Sequence, residues 1–87
     1  MGELPRVTLY GRPGCHLCEA AEADLRAMMP QLRFGLDIVN IEDDEELHRK
    51  YMFEIPVIVA EGREIAKGRV VAAAVREELR DLFAARR

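Results

Sequence analysis

The chain has 87 residues, of which 49% are hydrophobic and 33% charged, with a formal net charge of −3. That describes one domain over residues 1–87 with a modest core and a well-solvated surface. It argues against a nucleic-acid binder, which would show a clustered basic face; the terminal Arg86-Arg87 is too small a cluster to supply one. No apolar run approaches membrane-spanning length, and the first six residues lack the apolar stretch of a secretion signal. Met1-Gly2 opens a myristoylation pattern that Arg6 breaks. The expected location is the cytoplasm, where a cysteine pair is catalytic or metal-binding rather than structural.

Arg6-Val7-Thr8-Leu9-Tyr10 is β-rich and predicts a strand that stops at Gly11. Gly11-Arg12-Pro13-Gly14-Cys15-His16-Leu17-Cys18 follows and holds both cysteines of the chain. Residues 16–29 predict a helix, with Leu17, Ala21, Leu25 and Met28 at helical spacing and Pro30 as its end. Glu22 and Arg26 form a favourable i,i+4 pair on it. Alternation over about 34–40 predicts a second strand. The acidic run 42–46 then opens a second helix reaching Tyr51, and carboxylates suit a helix start because the dipole favours them there. A metal or partner site is the functional reading of that run, and a solvated helix N-terminus the plain one. His48, Arg49 and Lys50 read as its solvated face. Residues 56–60 form a continuous apolar strand, Glu61-Gly62-Arg63 a tight turn, and residues 64–67 a return strand. Gly68 breaks the chain. Residues 70–85 predict the last helix, with Val71, Val75, Leu79 and Leu82 as its buried stripe. The methionines read as core filler.

The resulting order is β-α-β-α-β-β-α. The first strands, joined by a helix, should be parallel with a right-handed crossover, and the last two should form an antiparallel hairpin. Helices on both faces of a four-stranded mixed sheet would bury every apolar stripe.

Cys15 and Cys18 lie where the first strand hands over to the first helix. A thiol there meets unpaired backbone N–H groups and the positive end of the peptide dipoles, which favour the reactive thiolate. Arg12 and His16 add positive charge beside Cys15 and would lower its pKa from the free-thiol value of about 8.5. Cys18, one turn deeper and less accessible, is the expected resolving thiol. A zinc site would need further ligands, and His16 and His48 would have to converge to supply them. A pair of buried free cysteines is the plain alternative.

This pattern, with Ile55-Pro56-Val57 opening the third strand and Gly68 before the last helix, resembles the thioredoxin fold and, within it, the glutaredoxin-like proteins. The Cys-His-Leu-Cys motif is similar to a small bacterial branch of them. The resemblance implies an α/β domain and a thiol–disulfide oxidoreductase in which Cys15 attacks and Cys18 resolves. It implies that the Ile55–Pro56 bond is cis and packs against the dithiol, leaving the Ile55 backbone free to pair with a substrate peptide as an added strand. It places Arg12, Tyr10, Gly68 and Arg69 where glutaredoxins bind glutathione. The chain departs from that pattern by having one glycine at Gly68, followed by Arg69-Val70-Val71, and by Glu54 in place of a threonine. A carboxylate at Glu54 would repel anionic glutathione and raise the Cys15 pKa. The expected partners are disulfide-containing proteins or small disulfides, with glutathione as co-substrate or a thioredoxin reductase as electron source. A monomer without a tightly bound cofactor or metal is expected. The alternative reading is an iron–sulfur cluster or metal carrier, with Cys15 and glutathione as ligands in a dimer.

Overall fold

A computed structural model describes residues 3–85; the Met1-Gly2 start and the Arg86-Arg87 pair lie outside them. Strand β1 (Arg6–Gly11) is followed by helix α1 (His16–Leu32), strand β2 (Gly35–Asn40), a short 3-10 turn (Ile41–Asp43) and helix α2 (Glu45–Tyr51). Strands β3 (Val57–Ala60) and β4 (Arg63–Lys67) and helix α3 (Ala72–Ala85) complete the chain. The sheet runs β2-β1-β3-β4. β1 pairs parallel with β2 and antiparallel with β3, and β3 pairs antiparallel with β4. The mixed α/β architecture is the one that the order of elements predicts.

Alternation along the central strands sends successive side chains to opposite faces. Val7, Leu9, Ile58 and Ala60 join Leu25, Met28, Val75 and Leu79 in the larger core, under α1 and α3. Val57 turns the other way, to Ile41 and Tyr51, with Tyr10, Leu47, Met52, Ile55 and Val59 packed around them. The hairpin turn of β3 and β4 is Glu61 (φ 53°) and Gly62 (φ 76°). Positive φ at both central positions matches the right-handed twist of the flanking strands.

Expected boundaries shift at three places. Pro30 does not end α1; it sits inside the helix, which runs on to Leu32 and closes at Arg33 in the left-handed region, whose N–H donates to the Met29 carbonyl (2.9 Å). Pro30 lacks the N–H that would bond the Arg26 carbonyl, and both residues lie on the exposed side of the helix, where water can take that acceptor. The inward stripe of α1 is Cys18, Ala21, Leu25 and Met28, and Leu17 is instead exposed. Helical spacing fits either residue, and the helix's orientation on the sheet selects the cysteine. Val71 lies before α3 and is exposed, so the buried stripe there starts at Val75. The acidic run is divided: Asp44 caps α2 by accepting from the Glu46 and Leu47 N–H groups (2.9 and 3.0 Å). Among the described residues no helix is long and apolar enough to cross a membrane.

Candidate active site

The site begins where β1 stops. Gly14 takes φ 80°, a left-handed conformation suited to glycine, and turns the chain into α1. Cys15 is the extended N-cap residue of that helix (φ −93°, ψ 106°). Its Sγ accepts the Cys18 N–H at 3.1 Å, and its carbonyl accepts the Glu19 N–H at 3.0 Å. The sulfur thus does the work that a serine or aspartate oxygen does at most N-caps. Cys15 and Cys18 are joined as a disulfide, with their Cα atoms 5.2 Å apart. Cys15 is half-buried, whereas Cys18 is 6% exposed. When the bond opens, the Cys18 N–H and the helix dipole both favour negative charge on the outer sulfur.

Gly11 is a site residue that the sequence reading used only as a strand end. A Cβ there would lie 2.9 Å from Cys18 Sγ and 3.1 Å from Cys18 Cβ. Only glycine lets β1 pass this close behind the inner sulfur. The signal was present as a glycine at the strand's end, but the close approach exists only once α1 lies on the sheet.

The register that pairs Tyr10 with Val57 puts the residues before β3 beside Gly11, at the same end of the sheet as the dithiol. The Ile55–Pro56 bond there is cis. The Ile55 N–H donates to the Tyr51 carbonyl (3.1 Å), so this donor is already used at the end of α2. Gly68 (φ 70°) reaches the same place, its N–H donating to the carbonyls of Pro56 (2.8 Å) and Glu54 (3.1 Å). These bonds tie the β4–α3 connection to the proline segment. Glu54 faces Lys67 (3.7 Å between Oε1 and Nζ), which offsets its charge.

The other predicted residues divide. Arg12 and Arg69 are exposed at this end of the molecule. His16 is also exposed, with Nδ1 3.5 Å from Glu19 Oε1, so its nearest charged neighbour is acidic. Tyr10 packs on the α2 side of the sheet, its ring centroid 4.9 Å from that of Tyr51. The rim carries apolar groups that the sequence reading did not single out as functional: Leu17 (44% exposed), Phe53 (90%) and Val71 (60%). They stand on the segments that meet here, namely the first turn of α1, the α2–β3 connection and the β4–α3 connection. Among the described residues no group of His, Cys, Asp and Glu is arranged to hold a metal ion.

The family model of the glutaredoxin-like domain (DUF836) matches residues 6–80. Among solved structures, protein Ne2328 from Nitrosomonas europaea is 32% identical with a TM-score of 0.75, over 90% of this chain and 94% of that one. Protein XcR50 from X. campestris is 31% identical with a TM-score of 0.69, over 91% and 96% of the two chains. Thioredoxin 1 from Thermosipho africanus shares the fold at 11% identity, with a TM-score of 0.63 over 94% and 99%. No curated protein matches. Fold, matched family and a bonded cysteine pair at a helix N-terminus together support a redox role, and the chain belongs to the family of glutaredoxin-like domains.

Proposed function

We propose that the protein is a thiol–disulfide oxidoreductase in which Cys15 is the nucleophile and Cys18 the resolving thiol. The observation that carries this reading is the asymmetry of the pair: Cys15 is the half-buried N-cap with an N–H aimed at its sulfur, and Cys18 is buried behind it. In the reducing direction the Cys15 thiolate attacks one sulfur of a substrate disulfide. A mixed disulfide forms and the other substrate sulfur leaves as a thiolate. The Cys18 thiolate then attacks Cys15 Sγ, closing the Cys15–Cys18 bond and releasing the second substrate sulfur. The substrate gains the two electrons that the dithiol loses, and an external thiol or dithiol donor returns the protein to its reduced form.

The apolar rim of Leu17, Phe53 and Val71 suits a protein disulfide better than a small anionic one. Glutathione remains a candidate donor, with Arg12 and Arg69 as the cations available to its carboxylates. A substrate segment lying along the Ile55 backbone would bond through the Ile55 carbonyl, because the N–H is engaged with Tyr51.

The test is trapping and labelling. Reduced protein should react with iodoacetamide at pH 7 faster than a free model thiol, with the label on Cys15. Cys18→Ser should accumulate a mixed disulfide with a protein disulfide substrate, and Cys15→Ser should form none. Equal reactivity of the two positions, or no trapped adduct in Cys18→Ser, would overturn the assignment.

A further inference from the structure

A cavity of about 250 Å³ opens beside the dithiol on the side away from the cis-proline. β2 and β3 flank β1 on opposite sides, so a space between α1 and the β1–β2 pair is separated by β1 from the Pro56 segment. Leu9 and Ile38, register partners on neighbouring strands, line it together with Gly11. Cys18 and Glu22, one helical turn apart on α1, form the facing wall, and the charged Arg12 and Glu19 line it as well. Gly11 has no side chain, and the place its Cβ would take is filled by Cys18 Sγ, so the open space lies beyond the sulfur. Glu22, which covers the sheet at this level, turns aside to Arg26 (2.9 Å) instead of filling the gap, leaving Ile38 47% exposed.

We propose that this cavity binds a small uncharged apolar molecule, aromatic or branched, against Cys18, and that its occupancy is coupled to the oxidation state of the pair. At about 250 Å³ the open space has room for a ring with a substituent or a fused pair of rings. An uncharged ligand fits because the exposed lining is mostly apolar and its charges are mixed: Arg12 and Glu19 are of opposite sign, and Glu22 is paired with Arg26. The coupling follows from chemistry at the wall. Opening the disulfide forces the two sulfurs out of bonding distance. Cys15 Sγ is held by the Cys18 N–H, and Gly11 backs Cys18 on the strand side. The inner sulfur therefore moves toward the cavity, and the ligand prefers the disulfide form. By linkage it then shifts the dithiol–disulfide ratio by the factor by which its affinities for the two forms differ. Only this second half rests on the oxidoreductase reading.

The probe is indole, titrated into oxidised protein carrying ¹³C-labelled methyl groups. Saturable shifts are expected at the methyls of Leu9 and Ile38. They should disappear in Ile38→Trp and in Glu22→Trp, which fill the space from opposite walls at positions open to solvent. In a glutathione redox buffer, saturating indole should raise the ratio of disulfide to dithiol at least twofold. Shifts that do not saturate, that survive both variants, or that centre on the rim near Phe53 overturn the binding site. Saturable binding with an unchanged ratio overturns the coupling. Saturable binding in a protein whose Cys15 proves inert leaves the cavity standing and rejects the oxidoreductase reading instead.

Discussion

At the scale of single residues, the site depends on a side chain that is missing. Gly11 leaves room for Cys18 Sγ, and a methyl group there would have to displace either the sulfur or the strand. The atoms it meets are the inner cysteine's own, held by the buried side of α1, so relief is limited. Gly11→Ala is expected to destabilise the protein by about 1–3 kcal/mol, the usual cost of overpacking. It should also slow closure of the Cys15–Cys18 bond. Urea unfolding measures the first effect, and the lifetime of a mixed disulfide on Cys15 the second. Unchanged values for both would show that the strand gives way freely. Neighbouring cysteines do not themselves reveal this requirement, because the contact spans two elements.

At the scale of elements, α2 is the most dependent on a single residue. It is a seven-residue helix, too short to hold itself together by propagation alone. Its N-terminus is closed by the Asp44 carboxylate, which accepts two backbone N–H groups. Its C-terminal turn carries Arg49 and Lys50, whose charge suits the negative end of the dipole. Lys50 Nζ also lies 5.1 Å from the centre of the Tyr51 ring. Tyr51 in turn receives the N–H of Ile55, so the helix end positions the backbone of the proline segment. Asp44→Ala is expected to cost about 1 kcal/mol, within the range of about 0.5–2 for loss of an N-cap. Hydrogen exchange should speed up first in α2 and at Ile55. Exchange unchanged there, with stability lost elsewhere, would separate the helix from the site.

At the scale of the whole molecule, acid sensitivity is set in part between β1 and the edge strand β2. Arg6 of β1 forks onto Asp37 of β2 through two hydrogen bonds, Nε to Oδ2 at 3.1 Å and Nη2 to Oδ1 at 2.6 Å. The guanidinium packs where a Cβ on Gly35 would stand. The hydrogen bond, with a smaller coulombic contribution, holds the Asp37 carboxyl below its ordinary range. A carboxyl with a depressed folded-state pKa binds protons more readily when unfolded. Its contribution is therefore complete above the unfolded value of about 3.9 and lost as pH falls through the lower folded value. Asp37→Asn should narrow the gap between urea midpoints measured at pH 6 and pH 3. The effect should be small and should shrink with added salt, because the pair is open to solvent. An identical gap in wild type and variant would remove the pair from the acid response.

The sequence by itself determined the order of elements, the strand–helix junction that carries the cysteines and the proline that opens β3. These are local facts, written in periodicity, glycine and proline placement, and the Cys-x-x-Cys spacing. Tertiary structure decided what depends on how elements lie on one another. Helical spacing allowed Leu17 or Cys18 on the inner face of α1, and only docking on the sheet turned the cysteine inward and left the leucine at the rim. Tyr10 was legible as a strand-end aromatic, but its partner Tyr51 comes from a helix on the other face. The engaged N–H of Ile55 and the crowding at Gly11 involve residues only four and seven positions apart, yet both depend on how one element folds back on the next, and the open space beside Cys18 needs β2 as well. Chain order fixes which groups are neighbours along the backbone, whereas packing fixes which atoms compete for the same volume, and the chemistry of this site lies in the second.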